Sequence, residues 1–242
     1  MSYAECLLVG KEGKTMKIIE AGYEILSDIS DGGIKELQHI ERIGRICYKS
    51  EDKIKEDGSS AKIFVAGLIK RGHEAMLEHS SLSVLFHVDR GVTHELVRHR
   101  LMSFAQESTR YCNYSNDKFG NEITVIRPPF WDNESIEYGN WEYSCMTAEK
   151  MYMAFIDSGI SPQEARTVLP NSTKADIVLT GNYREWRHFF WLRAADKTGP
   201  AHPQMHEVAQ PLLEELHNKI PVVFDDIYEE MLAKITAVSN QV

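Results

Sequence analysis

The segment Ser81–Asp89, with the sequence SLSVLFHVD, limits the possible folds of this chain more than any other. Its apolar residues stand at every second position: Leu82, Val84, Phe86 and Val88. Successive side chains of a β-strand point to opposite faces, so this alternation predicts a strand with one buried face.

Most of the remaining periodic segments are typical of helices, because their apolar residues recur three and four positions apart. Helices are predicted over residues 33–48, 61–71, 91–101, 135–158, 182–195 and 204–219. A shorter helix is predicted where Ser161 can act as the N-cap and Pro162 as the first helical residue. Residues 122–127 and 175–180 are predicted strands, and residues 103–111 are predicted to be extended or irregular. Since no regular βαβ period appears, the pattern favours an α+β fold, in one domain over residues 1–242.

The overall charge argues against a general nucleic-acid-binding protein. The chain carries 36 acidic and 27 basic side chains, a formal net charge of −9. Nucleic-acid binding requires a basic face that displaces counterions. No apolar run reaches the roughly 18 residues of a membrane span, so no membrane span is expected. Four scattered cysteines without a CxxC pair, and no signal-peptide pattern at the start, predict a reduced, cytoplasmic setting.

Positive charge is concentrated in the segment RHRLMSFAQESTRY, residues 98–111. From Arg90 to Arg110 there are four Arg, two Glu and no Lys, a local charge of +2. The arginine fork suits phosphates and carboxylates. On a helix, Arg98 and Arg100 would point about 200° apart, which favours contacts with two different ligands. A solvated face paired by acidic residues is the alternative interpretation.

Three other segments carry clustered histidine, arginine or acidic residues. GHEAMLEH, residues 72–79, resembles a zinc HExxH motif, but its second histidine comes six residues after the first and not one helical turn after it. NYREWRHFFWLR, residues 182–193, places Arg184 and His188 one turn apart. AHPQMHE, residues 201–207, spaces His202 and His206 for a metal if helical, although Pro203 favours a helix start there.

Together these motifs resemble the flavin-dependent thymidylate synthase family. RHRLMSFAQES has Arg-His-Arg, seven residues and then Ser, which is similar to the family signature. GHEAMLEH, EARTVLP and NYREWRHFFWLR follow the family's other segments in order, and the resemblance covers residues 33–232, most of the chain.

The resemblance implies a fold with a mixed, mainly antiparallel sheet flanked by helices, assembled as a homotetramer with active sites between subunits. The implied reaction is methylation of dUMP to dTMP, with 5,10-methylenetetrahydrofolate as carbon donor. FAD, reduced by NADPH, would supply the hydride, and tetrahydrofolate would be released. Neither nucleic acid nor a membrane is an implied partner, and no metal ligands are implied.

The resemblance also assigns residues to the two ligands. The expected dUMP-binding residues are Arg90, Glu95, Arg98, Gln106, Glu107, Ser108, Arg110, Arg166 and Arg193. The expected FAD-binding residues are His73, Glu78, Arg98, His99, Arg100, Asn182, Arg184, His188 and His202. Arg193 and Ser108 are the catalytic candidates. Arg193 would stabilise negative charge on the uracil ring, whereas Ser108, without a base beside it in the sequence, is interpreted as a positioning residue.

Two departures from the family pattern and two alternative functions remain at this point. Ala75 stands where the family often has a polar residue, and residues 194–204, which include His202, are longer than the family form. One alternative is a nucleotide or flavin sensor, which would bind its ligand without turnover. The other is a metal-dependent hydrolase using His73, His79, His202 and His206, which would contain stoichiometric zinc.

Overall fold

The computed structural model describes residues 16–29 and 31–239. The described chain divides into two compact units. Unit 1 contains residues 16–22, Phe86–Leu96 and Ala105–Ile177, and unit 2 contains residues 23–29, 31–85, Val97–Phe104 and 178–239. The single domain over residues 1–242 stays a prediction, and Cys6 and the segment interpreted as lacking a signal peptide lie outside the described residues.

The described part of the chain contains the following strands and helices. The strands are β1 (Lys17–Ile19), β2 (Gly22–Ile25), β3 (Ser81–Asp89), β4 (Ser103–Gln106), β5 (Thr124–Ile126) and β6 (Lys174–Asn182). The helices are α1 (Ile34–Ile46), α2 (Ser59–Lys70), α3 (Arg90–Leu96), α4 (Ile136–Asp157), α5 (Pro162–Ala165), α6 (Tyr183–Arg193), α7 (Pro203–Lys219) and α8 (Asp225–Ser239). Short 3-10 turns lie between them, including Glu74–His79.

The strands form two sheets. β1 and β5 pair in parallel, with Lys17 opposite Thr124 and Ile19 opposite Ile126. The other sheet has the order β2-β3-β6-β4. Side chains pair across β3 and β6 at Ser83–Thr180 and at His87–Asp176, so moving forward on β3 means moving back on β6, which is antiparallel pairing. The coarse α+β prediction is confirmed, with parallel pairing between β1 and β5 and antiparallel pairing between β3 and β6.

The alternating segment forms the predicted strand with the predicted bounds. The four apolar side chains of β3 that were predicted to share a face are all 0% exposed. Burying one face of the strand removes this apolar area from water, which stabilises the fold by roughly 25 cal/mol per Å² buried.

Unit 1 has its own core and a well-capped long helix. The core consists of Met16, Tyr114, Ile123, Val125, Cys145, Tyr152 and Ala165. Ser135 caps α4 by accepting a hydrogen bond from the Tyr138 backbone N–H at 3.1 Å. The predicted start of α5 is confirmed, because Ser161 and Glu164 form a capping box with a proline in the first turn.

Unit 2 is organised by the aromatic helix α6. Trp186, Phe189, Phe190 and Phe224 are fully buried and pack edge to face or tilted. Arg187, on the same helix, is only 2% exposed. Its charge is matched by Asp226 at 2.7 Å and by Glu74 at 3.1 Å, so it ties α6 to α8 and to the 3-10 turn.

The prediction of a helix over residues 91–101 is wrong in its extent. α3 begins at Arg90 and ends at Leu96. Beyond it the Arg100 N–H donates to the Arg98 carbonyl at 3.0 Å, and the Met102 N–H donates to the His99 carbonyl at 2.9 Å. These tight turns replace the i→i−4 bonds of a helix and lead the chain directly into β4.

The sequence interpretation did not include β1, β2 or α8. β1 and β2 are three and four residues long, too short for a periodic signal. α8 did carry signals, because Asp225 and Asp226 stand in its first turn and Ile227 and Met231 are buried one turn apart. Within residues 16–29 and 31–239, no helix combines the length and the apolar character needed to cross a bilayer.

Candidate active site

The residues expected at the active site fall in both units. Unit 1 holds Arg90, Glu95, Gln106, Glu107, Ser108, Arg110 and Arg166. Unit 2 holds His73, Glu78, Arg98, His99, Arg100, Asn182, Arg184, His188, Arg193 and His202. All the expected FAD residues therefore lie in unit 2, and the expected dUMP residues lie in unit 1 except Arg98 and Arg193.

In unit 1, residues 107–112 form a compact turn, here called the 107–112 turn. The Ser108 carbonyl accepts from the Tyr111 N–H at 3.1 Å and from the Cys112 N–H at 2.9 Å. Ser108 Oγ accepts from the Arg110 N–H at 3.3 Å. The turn leaves the Arg110 side chain exposed, with its guanidinium 5.3 Å from the centre of the Tyr111 ring. It therefore presents a cation suited to a phosphate.

Two further expected residues contact this region of unit 1. Arg166 Nη1 donates to Thr109 Oγ1 at 3.2 Å, which brings a second arginine to the turn. Gln106 Nε2 donates to Thr93 Oγ1 at 3.2 Å, which joins the residue before the turn to α3. Arg90 and Glu95 lie on α3 as well. The sequence interpretation did not single out Thr93 or Thr109, because a buried threonine carries no motif of its own.

Ser108 has the surroundings of a positioning residue. Among the described residues, no histidine or carboxylate hydrogen-bonds to its Oγ, which serves the backbone of the turn. A serine hydroxyl needs an adjacent base to act as a nucleophile. The positioning interpretation is consistent with this geometry, and the catalytic assignment of Ser108 stays a prediction.

Glu107 differs from its neighbours because its carboxylate faces inward. Its side chain is 11% exposed, and its oxygens accept from Tyr114 Oη at 2.8 Å and Lys174 Nζ at 3.1 Å. These contacts occupy both oxygens within unit 1. Direct binding of dUMP by Glu107 stays a prediction, and the sequence motifs did not indicate Tyr114 or Lys174.

In unit 2, the side chains of the Arg-His-Arg motif separate by burial. His99 is 6% exposed, whereas Arg98 and Arg100 on either side of it are exposed. Because α3 ends before Arg98, the helical angle between Arg98 and Arg100 no longer supports two separate ligands. The tight turn itself directs the imidazole inward and leaves both guanidinium groups at the surface.

His99 joins two other expected residues. Arg193 Nε donates to His99 Nε2 at 3.2 Å. The His99 ring also meets the rings of His188 and Phe189 at centroid distances of 5.9 and 5.0 Å. Burial, together with the nearby charges of Arg193 and His188, lowers the pKa of His99 to about 4. His99 is therefore neutral at pH 7 and accepts a hydrogen bond from the guanidinium.

The two acidic residues of GHEAMLEH form ion pairs with two different arginines of α6. Glu78 Oε1 pairs with Arg184 Nη1 at 2.5 Å, and both side chains are about half exposed. Glu74 instead pairs with the buried Arg187. Glu78 and Arg184, both assigned to FAD, are thus brought together, while Glu74 stabilises the fold.

Asn182 and His202 cap the helices that follow them. Asn182 Oδ1 accepts from the Glu185 N–H at 2.9 Å at the start of α6. His202 Nδ1 accepts from the Gln204 N–H at 3.3 Å at the start of α7. The assignment of both residues to FAD stays a prediction.

The histidines of the hydrolase alternative do not assemble. Across the described residues, no group of three or more His, Cys, Asp or Glu side chains is arranged to hold a metal ion. His206 Nε2 instead pairs with Asp196 Oδ1 at 2.9 Å.

The chemistry of the unit 2 residues suits a flavin dinucleotide. Arg98 and Arg100 are exposed guanidinium groups beside a buried neutral imidazole, and Arg184 lies half exposed on α6. Guanidinium groups match the geometry of phosphates, which such a dinucleotide carries. These residues therefore fit the group that the sequence resemblance implies.

Comparison with known proteins gives consistent matches over most of the chain. The family model of the thymidylate synthase complementing protein matches residues 34–222. The flavin-dependent thymidylate synthase of Corynebacterium diphtheriae is 34% identical over 210 residues, which cover 80% of each chain. That of Mycobacterium bovis is 33% identical over 218 residues, 83% of each.

Solved structures show a related fold. The UMP/dUMP methylase PolB from Streptomyces cacaoi, bound with 5-Br dUMP, has a TM-score of 0.69 and 22% identity. The match covers 90% of this chain and 97% of that one. The same enzyme bound with 5-Br UMP gives a TM-score of 0.68 at 20% identity.

Proposed function

The chain belongs to the flavin-dependent thymidylate synthase family, and from this premise we propose that it methylates dUMP to dTMP. The relatives from Corynebacterium diphtheriae and Mycobacterium bovis carry this enzyme name. Each match covers at least 80% of this chain and of the relative. The chain is accordingly an FAD-dependent thymidylate synthase. The nucleotide-bound methylase with a similar fold supports a pyrimidine nucleotide as the substrate class.

One contact carries the proposal at the level of residues. Arg193 is assigned to dUMP and His99 to FAD, and the two side chains are joined by a hydrogen bond of 3.2 Å. A reaction that passes a hydride from a flavin to a pyrimidine ring requires the two ligands to adjoin. A direct bond between a residue of each set supports that requirement.

The finer features of the reaction belong to the same proposal. The carbon donor is 5,10-methylenetetrahydrofolate, the reductant is NADPH, and tetrahydrofolate is released. The enzyme works in the cytoplasm as a homotetramer, in which residues from different subunits complete each active site.

For the cofactor, the chain supplies cationic and polar side chains. We assign the phosphates of FAD to Arg98, Arg100 and Arg184, with His73, Glu78, His188, Asn182 and His202 around the rest of the molecule. When bound, the flavin supplies hydride-transfer chemistry, which no amino-acid side chain provides. The neutral His99 presents no positive charge of its own and accepts the Arg193 N–H, which orients that guanidinium.

For the nucleotide, the arginines have separate roles. Arg110 and Arg166, which gather at the 107–112 turn, bind the phosphate. Arg90, Glu95, Arg98 and Gln106 complete the nucleotide set. Arg193 lies at the uracil edge, where its guanidinium stabilises negative charge that develops on the ring during methylation. Ser108 orients the nucleotide through the turn and does not attack it.

Anaerobic turnover tests this function. Purified protein is expected to be yellow, with the absorbance of oxidised flavin, and to form dTMP from dUMP, 5,10-methylenetetrahydrofolate and NADPH. Omission of each component in turn should abolish dTMP formation. Protein that stays colourless after addition of FAD, or that forms no dTMP in the complete mixture, would contradict the proposal.

A further inference from the structure

Glu107, immediately before Ser108 in the 107–112 turn, is held by four hydrogen bonds. Its Oε1 accepts from Tyr114 Oη at 2.8 Å, and its Oε2 accepts from Lys174 Nζ at 3.1 Å and from the Asp176 N–H at 3.3 Å. Its own N–H donates to the Asp176 carbonyl at 2.8 Å. Residue 107 is thereby fixed by both its side chain and its backbone.

The first donor, Tyr114, is itself fixed by the core of unit 1. Its residue exposure is 5%, and its ring lies 5.4 Å from Phe119 and 5.8 Å from Tyr152. Burial, reinforced by the charge and hydrogen bond of Glu107, raises the pKa of Tyr114 far above its usual value. The phenol therefore stays protonated at neutral pH and can donate to Glu107.

The second donor, Lys174, is held by two carboxylates. Its ammonium is 2.7 Å from Asp176 Oδ2 as well as 3.1 Å from Glu107 Oε2. Burial alone would lower the pKa of Lys174, but the hydrogen bond to Asp176 and the attraction of Glu107 outweigh it and raise the pKa. Asp176 is fixed in turn by His87 Nδ1 at 2.7 Å. The ammonium is therefore charged and held in place by Glu107 and Asp176 together.

This arrangement anchors the turn at the residue where it begins. The hydrogen bonds that shape the turn start at Ser108, and the Arg110 and Arg166 contacts follow within two residues of it. A shift of Glu107 would displace the Ser108 carbonyl and hydroxyl that shape the turn, and with them the exposed Arg110 guanidinium. A displacement of about 1 Å in a positioning group is enough to weaken binding or turnover severely.

We propose that Tyr114 and Lys174 are positioning residues for nucleotide binding: together they hold Glu107, and Glu107 sets the 107–112 turn that binds the nucleotide phosphate. Neither residue contacts the ligand in this account. The inference rests on the proposed function, because it takes the turn to be the phosphate-binding element.

The test compares three single-residue variants of the full chain, each with flavin bound. Tyr114→Phe removes only the hydroxyl that donates to Glu107, and Lys174→Gln removes the charge at a less buried position. Tyr152→Phe is the control for disturbance of the core, because the Tyr152 hydroxyl accepts from the Tyr114 backbone N–H at 3.3 Å and has no hydrogen bond to Glu107, so this change disturbs Tyr114 without removing the donor to Glu107. Dissociation constants for dUMP are measured by calorimetry, and KM and kcat by anaerobic turnover.

Each of Tyr114→Phe and Lys174→Gln is expected to raise the dUMP dissociation constant and KM about tenfold, the weight of a hydrogen bond to a charged group. The value of kcat at saturating dUMP should fall by less than about twofold, because the reacting groups stay in place. The double variant should raise the dissociation constant less than the product of the single effects, since both act through Glu107. Tyr152→Phe should lower thermal stability and leave the dissociation constant unchanged.

Three results would overturn the inference. Wild-type affinity for dUMP in both Tyr114→Phe and Lys174→Gln would contradict the positioning role and leave the proposed function intact. An equal loss of affinity in Tyr152→Phe would show a general effect of the core. A wild-type protein that does not bind dUMP would overturn the proposed function together with this inference.

Discussion

Burial sets the charge state of His99, which accepts a hydrogen bond from Arg193. The low pKa of His99, about 4, leaves a neutral acceptor beside a guanidinium that is always charged. At neutral pH the positive charge of this hydrogen-bonded pair therefore belongs to Arg193. This single charge is the one we assign to the uracil edge.

Arg193→Ala is expected to lower kcat by about 10²- to 10³-fold, the usual loss when one preorganised electrostatic group is removed. FAD retention, measured by absorbance after gel filtration, should fall far less. Arg42→Ala, an exposed arginine of α1, is the control and should match wild type. A loss of flavin as large as the loss of turnover would contradict the role of Arg193.

Ser108→Ala is expected to retain measurable dTMP formation. The variant loses the bond from the Arg110 N–H to Oγ, so dUMP should bind more weakly while the redox chemistry continues. Ser144→Ala, an exposed serine of α4, is the control. Complete loss of turnover with unchanged dUMP affinity would instead identify Ser108 as a nucleophile.

The low pKa of His99 also predicts how stability depends on pH. The pKa of His99 is about 4 in the folded state and 6.5 in the unfolded state. Between these pH values the unfolded chain therefore binds more protons than the folded chain. The free energy of unfolding should therefore fall as pH decreases from 6.5 towards 4, by about 2 kcal/mol between pH 7 and pH 5 from this group.

Urea unfolding of wild type, His99→Gln and the exposed-histidine control His39→Gln at pH 7 and pH 5 measures this effect. His99→Gln should lose about 2 kcal/mol less than wild type between the two pH values, and His39→Gln should resemble wild type. Equal losses in all three proteins would show that His99 is not held neutral by its surroundings.

At the scale of elements, the sequence predicted those whose burial follows their periodicity. β3 was predicted with its observed bounds because its alternating residues are all buried, and α7 was predicted to begin one residue late. α3 was predicted too long because Val97 and Leu101 continue the helical spacing. In the structure these two residues are 38% and 80% exposed. Apolar spacing that faces solvent carries no information about where a helix ends.

The helix α6 provides the sharpest stability prediction at this scale. Arg187→Ala leaves the carboxylates of Glu74 and Asp226 without their buried partner, so unfolding free energy should fall by about 3–5 kcal/mol. Arg184→Ala, on the same helix, breaks a half-exposed pair and should cost about 0–1 kcal/mol. Similar losses of stability in the two variants, measured by urea unfolding, would mean that burial does not separate the two pairs.

At the scale of the whole molecule, the sequence motifs supplied the candidate site residues but not the residues that hold them in place. The family resemblance assigned side chains to each ligand, and that assignment stays a prediction. Tyr114, Lys174, Thr93 and Thr109 were not predicted. Each acquires its role from a partner in another segment of the chain, which only the tertiary structure brings close.

The division into two units bears on how the site assembles. Unit 2 holds all the residues expected to bind FAD, and unit 1 holds most of those expected to bind dUMP. In the proposed homotetramer, residues from different subunits complete each active site.

The central claim is that flavin, and not the folate, carries the reducing hydride to the nucleotide.

A single turnover measures this claim most directly. The protein is reduced under anaerobic conditions, freed of NADPH, and mixed with excess dUMP and 5,10-methylenetetrahydrofolate. Our account predicts one dTMP per reduced flavin, oxidation of the flavin on the same time scale, and tetrahydrofolate as the folate product. Formation of dTMP with dihydrofolate as product and no oxidation of the flavin would contradict it.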